Sequence, residues 1–317
     1  MNNRRCIVIP YFGKLPVYFD FFLKSCSNNQ EVIDYLFFTD CEKPDKLPSN
    51  VKWNSFSLVQ FNQLASKKLE KEIRIENPYK LCDFKPLYGH IFEDSLSSYE
   101  YWGFGDEDLI LGRLDFFLSD LEKGSFDVFS MRERWISGPF SLFRNVEKVN
   151  KLYQKSPIWE SIMLQKEWVA FDETLTNWND YMNYDLDVYS FDDPSFTSMV
   201  FDAKRDGVIE AHFNTLIKES IDDDSYVCYD NGVITDASGR EFAIYHYIIE
   251  KKRFQFEFED WNHIPDKFYI DNTGFFTEDE FWNSRDLIRR KRIRRGKLRQ
   301  LKHYARRFKE KYILNKG

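Results

Sequence analysis

Short apolar runs alternate with stretches of helical period through the first third of the chain. Residues 5–12 (RCIVIPYF) are apolar, β-branched and bounded by Pro and Gly, which predicts a buried strand. Residues 16–26 carry Val17, Phe21 and Phe22 at helical spacing. Residues 32–39 (VIDYLFFT) and 51–59 read as further strands, 60–75 as a helix, 85–96 as a helix with Pro86 near its start, and 99–105 as a strand. Strands alternating with helices predict an α/β fold with a mostly parallel sheet covered on both faces. The second half is less regular. Residues 126–131 and 136–143 read as strands, 148–166 as a helix, and 177–224 as long acidic, aromatic loops. Asn231-Gly232 at the centre of 226–235 signals a hairpin. Residues 242–249 (FAIYHYII) read as one strand, and 254–259 alternates as a strand does.

Ligands of parallel sheets bind beyond the carboxyl ends of the strands. Tyr11 in Pro10-Tyr11-Phe12-Gly13, Asp40, and Asp106-Glu107-Asp108 all fall at such ends. Residues 99–114 (YEYWGFGDEDLILGRL) are the most informative. Side chains two apart on an extended segment point the same way, so Asp106 and Asp108 can aim at one point and Glu107 away from it. Hard divalent cations take such oxygen ligands. With 52 acidic residues in 317, about eight acidic-x-acidic pairs are expected by chance at this composition. Asp185-Leu186-Asp187 and Asp222-Asp223-Asp224 are competitors, and a solvated loop is the alternative reading of Asp106 and Asp108. The flanking apolar runs favour carboxylates at the edge of a core, where they need a partner. Gly103 and Gly105 lack the third glycine of a dinucleotide fingerprint, and there is no P-loop.

The aromatic fraction of 18% is high; most rings must be core, although flat rings also suit stacking on sugars or bases. Five scattered cysteines without CxxC spacing argue against a disulfide framework or zinc site and for a reducing compartment. The N-terminal apolar run stops at Pro10, too short for a signal peptide, and no stretch is long enough for a membrane span, so a cytoplasmic location is expected. The net charge of −7 hides a split. Residues 285–311 hold 14 Lys or Arg against two acids, a net +12, so the remainder carries −7 − 12 = −19.

The order of motifs — the strand ending in PYFG, then FFTD, then NPYKLCDFKP (77–86), then WGFGDED (102–108) — resembles the bacterial GT-A-type nucleotide-sugar glycosyltransferases of polysaccharide (capsule and O-antigen) biosynthesis. SGPFSLFRN (137–145) and Phe171-Asp172-Glu173 resemble later motifs of that family. The resemblance implies a GT-A-like, Rossmann-type mixed, mostly parallel sheet over residues 1–278, with a basic helical tail at 279–317. It implies that Asp106 and Asp108 hold Mn²⁺ or Mg²⁺ on a nucleoside-diphosphate sugar, most simply a UDP-sugar, and that His246 completes the metal shell. Tyr11 and Asp40 would cradle base and ribose, Asp83 and Lys85 would lie near nucleotide or sugar, and Lys251 or Lys252 would bind the diphosphate. Asp172 or Glu173 would be the base for the acceptor hydroxyl if the reaction inverts the anomeric centre. The glycine and spacing usual after the late histidine are absent here.

Each residue also has a plainer reading. His246 could be a satisfied core histidine, Asp172 and Glu173 a helix N-terminal acidic pair, and Lys85 a solvated helix start. Arg144 and Asn145 cap a strand more simply than they touch an acceptor. In the tail, Leu298, Leu301, Ala305, Phe308 and Tyr312 recur at three-four spacing among Lys and Arg. That face could lie on an anionic membrane, where lipid-linked saccharide acceptors reside, pack on the body, or accompany phosphate contacts to nucleic acid. The acidic body disfavours an extended nucleic-acid surface. The expected activity is therefore metal-dependent sugar transfer to a polysaccharide or lipid-linked acceptor, peripheral to the membrane. A glycoside hydrolase, or a non-enzymatic adaptor acting through the tail, is the alternative.

Overall fold

In the computed structural model, residues 4–122, 126–175, 193–259, 261 and 263–312 are described. The chain divides into two compact units. The first comprises 1–16, 29–107 and 114–216; the second comprises 17–28, 108–113 and 217–317.

The first unit is built on the strands that the apolar runs predict. β1 (Arg5–Tyr11) has Cys6, Ile7, Val8 and Ile9 buried without alternation, as a strand covered on both faces requires. It lies between β2 (Asp34–Thr39) and β4 (Tyr101–Gly105), parallel to both, and β3 (Val51–Ser55) pairs parallel with β2. The first helix of the chain, α1 (Phe19–Ser27), and β5 (Leu109–Leu111) belong to the second unit. β6 (Val128–Ser130), β7 (Phe140–Arg144) and β8 (Ala211–Phe213) complete a sheet of order β3-β2-β1-β4-β7-β6-β8. β7 runs antiparallel to β4 and β6, so the sheet is mixed but mostly parallel.

Expected and observed helices differ where side chains intervene. β3 stops at Ser55 because Ser57 caps α2 (Leu58–Leu69): its hydroxyl accepts from Gln60 N–H, and the Gln60 side chain accepts from Ser57 N–H. α2 ends at Glu70, in left-handed backbone, not at 75. The chain then folds back, and the Asn62 amide satisfies both backbone groups of Ile75 at 3.0 Å. The single helix expected over 85–96 is a series of short turns. The helix expected over 148–166 is also broken into short pieces. α3 (Phe196–Arg205) and β8 form where loop was expected, with Phe196, Val200 and Phe201 of α3 buried. Asp185-Leu186-Asp187 lies outside the described residues.

The second unit contains α1, two sheets and the C-terminal helices. β9 (Ile217–Lys218), β13 (Ile244–His246) and β5 form one sheet of order β5-β13-β9. β10 (Val227–Asp230) and β11 (Val233–Asp236) form the predicted hairpin, with Asn231 and Gly232 both at positive φ. With β12 (Glu241–Phe242), β14 (Lys267–Asp271) and β15 (Gly274–Thr277) they make an antiparallel sheet of order β12-β11-β10-β14-β15. The strand expected over 242–249 is divided between the two sheets at Ala243, whose carbonyl accepts from Gly112 N–H at 2.7 Å. Residues 254–259 are irregular and touch β15 through one bridge, Glu257 to Gly274. α4 (Glu278–Asn283) carries a Thr277–Glu280 capping box, and α5 (Arg285–Tyr312) contains most of the basic tail. All five cysteines are free, and Cys6, Cys26 and Cys228 are buried. No helix among the described residues is long and apolar enough to cross a membrane.

Candidate functional site

The carboxyl ends of β1, β2 and β4 lie along one edge of the first unit's sheet, because these neighbours are parallel. Beyond β1 and β2, Gly13 N–H donates to Asp40 Oδ1 at 2.8 Å, and the Tyr11 hydroxyl donates to the Lys14 carbonyl at 2.9 Å. Asp40 is exposed and Tyr11 half-buried. The glycines of the WGFG run serve packing. A Cβ on Gly103 would come within 2.1 Å of the Ser141 carbonyl, and one on Gly105 within 3.1 Å of Ile7.

Beyond β4 a polar cluster is buried around Lys85. Its ammonium donates to Asp106 Oδ1 at 2.7 Å and to the Gly138 carbonyl at 2.8 Å, with Asp172 Oδ2 at 3.8 Å. Burial alone would lower the Lys85 pKa, but the surrounding negative groups, Asp106 foremost, push it well above the ordinary lysine value. Asp172 moves the other way for a carboxylate. Burial first, then the charges of Glu173, Asp83 and Asp106, raise it well above the usual range, and Lys85 opposes without prevailing. The nearer partner of Lys85 is Asp106, which explains why burial wins at Asp172. Gly138 N–H donates to Glu173 Oε1 at 2.9 Å, and a Cβ on Gly138 would come within 3.0 Å of both the Asp172 and Glu173 carboxylates.

Asp83 has contacts of another kind. It is fully buried, pairs with buried Lys80 at 2.9 Å, and accepts from the backbone N–H groups of Val169 and Phe171. Between those amides Ala170 stands at φ 63°, strained for a residue with a Cβ. Asp83 thus holds the strained turn that leads directly into Asp172 and Glu173. Nearby, the exposed rings of Tyr79 and Trp168 meet edge to face at 5.1 Å. The Tyr79 phenol is pushed up by burial and then by Cys82, Asp106 and Asp172, against Lys85.

In the second unit, strand register brings Asp108 to His246. β5 begins one residue after Asp108, β13 ends at His246, and Leu109 pairs with His246 across the antiparallel ladder. Nε2 of His246 lies 3.2 Å from Asp108 Oδ2, and Nδ1 lies 2.8 Å from Glu219 Oε1. Lys251 also donates to Asp108 Oδ2, and its ammonium lies over the Tyr18 ring. Burial would raise the pKa of Asp108, but hydrogen bonds and charge from His246 and Lys251 outweigh it and hold the group well below the ordinary value. Glu250, which precedes Lys251 at the start of the turn, is fully buried and accepts from Ile221 N–H and the Tyr245 hydroxyl. Lys252, the alternative at this position, is exposed.

Only Glu107 separates Asp106 from Asp108 along the chain. Within the second unit, Asp108 and His246 bring a carboxylate oxygen and an imidazole nitrogen to 3.2 Å, a pair that could share a metal ion. Carboxylate oxygens with one imidazole suit Mn²⁺ or Mg²⁺ better than a thiolate-seeking metal. The Glu219 contact fits the same purpose: a ligating histidine commonly gives its second N–H to a carboxylate, which fixes its tautomer. Glu219, Tyr18 and Glu250 carry no motif that would single them out in the sequence. The competing Asp222-Asp223-Asp224 is a surface turn in which Asp223 accepts from Asn272. Arg144 pairs with Asp127, and Asn145 donates to the Leu96 and Tyr99 carbonyls, so both tie strand ends together.

A family model with the description "Family of unknown function (DUF6625)" matches residues 7–279. The chain belongs to this family. The DUF6625 match takes in Asp106, Asp108, Asp172, His246 and Lys251, and α5 lies outside it. No curated protein matches the chain.

Proposed function

We propose that this protein is a metal-dependent glycosyltransferase with a GT-A-like fold, moving a sugar from a nucleoside-diphosphate donor to a saccharide acceptor. The observation that carries the reading is the meeting of His246 and Lys251 on one buried carboxylate, Asp108, with Asp106 two residues away along the chain. An imidazole, a lysine and carboxylates are side-chain types that suit metal-assisted diphosphate release. A mostly parallel sheet with acidic residues beyond its carboxyl edge supports the same conclusion.

Departure of a nucleoside diphosphate builds negative charge on its oxygens. A bound Mn²⁺ or Mg²⁺ supplies Lewis-acid stabilisation of that charge. Asp106, Asp108 and His246 would hold it, with Glu219 orienting the imidazole. Lys251 brings a point charge to the same place and suits the departing diphosphate. Tyr11 and Asp40, beyond β1 and β2, would receive base and ribose. Asp172 is the candidate base, and Asp83 fixes the turn that carries it. Glu173 is tied to Gly138 N–H and is the weaker candidate. Lys85, held by Asp106 and Gly138, is a positioning residue between the two carboxylates.

A thermal-shift screen of nucleotide sugars, UDP-sugars first, with and without Mn²⁺ tests this reading. A donor stabilises the native state by mass action, and that stabilisation should need the metal. Sugar release from a glycoside carrying no nucleotide would instead favour the hydrolase.

A further inference from the structure

The polar face of α5, not its apolar face, is the one attached to the second unit. Arg285, Arg289, Arg292, Arg295 and Arg299 recur at three-four spacing along one side of the helix. Arg285 and Arg289 both reach buried Asp271, at 2.9 and 3.4 Å. Arg292, itself buried, pairs with Glu259, donates to the Phe275 carbonyl at 2.7 Å and lies over the Phe276 ring. Arg295 and Arg299 converge on Glu257, and Arg299 also donates to the Phe254 carbonyl at 3.1 Å. Gly296 permits the close approach on this side, since a Cβ there would come within 2.7 Å of Gln255 Cα. Asp271, Glu257 and Glu259 are thus matched by this arginine row.

The opposite side of the helix faces outward. Leu287, Leu298, Leu301 and Tyr304 are 57%, 53%, 65% and 56% exposed. Arg290, Arg294, Lys297 and Lys302, all exposed, are interleaved with them. Burying the apolar face on the body would have been the ordinary outcome for an amphipathic helix; here the arginine contacts prevent it. Apolar side chains that alternate with surplus basic charge complement a surface that is both anionic and apolar just beneath. A phosphate backbone would match the charge but would leave the leucines in water.

We propose that the outward face of α5 docks on an anionic lipid bilayer, with Leu298 and Leu301 entering the boundary between headgroups and acyl chains. This rests on α5 alone and stands whether or not the transferase reading holds. The test is co-sedimentation of the full chain with phosphatidylcholine vesicles, with and without phosphatidylserine. Wild type should bind the phosphatidylserine vesicles at least about ten-fold more tightly, and Leu298→Glu/Leu301→Glu should lose about ten-fold or more of that binding. The melting temperature of this variant should be unchanged, because neither leucine contributes to the body contacts. Absence of vesicle binding by the wild type overturns the proposal. So does undiminished binding by the double variant, which would reveal purely electrostatic attraction of the kind nucleic acid would also exert.

Discussion

His246 stands 3.2 Å from Asp108 because Leu109 pairs with His246 across β5 and β13. The second ring nitrogen is held by Glu219 at 2.8 Å. If this arrangement holds a cation, Glu219→Gln should weaken Mn²⁺ binding by about 10- to 100-fold, the usual effect of losing an orienting partner. Calorimetric titration of the metal measures it, and an unchanged Kd would remove Glu219 from the account.

Lys85 joins Asp106 to the turn bearing Asp172. Lys85→Met keeps the length of the side chain but leaves buried negative charge uncompensated. A loss of about 3–5 kcal/mol is expected, as for other broken buried pairs. Urea unfolding would show it as a lower midpoint at constant slope. A midpoint equal to wild type would mean the cluster is solvated.

His90 gives a pH dependence with a defined sign. Burial first, with Lys151 and Lys68 adding and Glu93 opposing, lowers its pKa, and its Nδ1 lies 2.9 Å from the Tyr153 hydroxyl. The unfolded chain then binds more protons than the native state between the lowered value and the ordinary one near 6.5. Stability contributed by neutral His90 is present above that ordinary value and lost as pH falls below it. His90→Gln should therefore show a shallower fall in melting temperature between pH 7.5 and 5.5. Identical slopes would contradict the shift.

Tyr79 and Trp168 present an exposed edge-to-face pair. Such a pair suits stacking on a sugar ring. Trp168→Ala should raise KM for donor or acceptor by about 2- to 10-fold, with kcat little changed. Steady-state kinetics on both substrates would show which is stacked, and no change in either KM would assign the pair to packing alone.

The sheet of the first unit, apart from β8 within the expected loop, was legible because its apolar runs are short, β-branched and punctuated by Pro, Gly and Asp. The Asn231-Gly232 hairpin was legible because positive φ at two successive positions selects those residues. Boundaries failed where a side chain captured the backbone, as Asn62 does at Ile75, because such long-range contacts have no periodic signature. KFYID and GFFT, strand-like in composition, form β14 and β15, which the alternation along the chain does not predict. At the site, Asp106, Asp108, His246 and Lys251 were each named from the sequence, and Asp108, His246 and Lys251 do meet. Asp83 was expected near nucleotide or sugar; its oxygens are held by Lys80 and by the amides of the Ala170 turn. Glu219 escaped notice because its role depends on folding β9 beside β13.

The central claim is that Asp106, Asp108 and His246 make diphosphate binding depend on a divalent cation. The most direct measurement is calorimetric titration of UDP into the full chain in Mn²⁺ and again in EDTA, beside Asp108→Asn in Mn²⁺. Saturable binding in Mn²⁺ that weakens by about 100-fold or more in EDTA and in the variant is the predicted result. Equal affinity in all three titrations would contradict it.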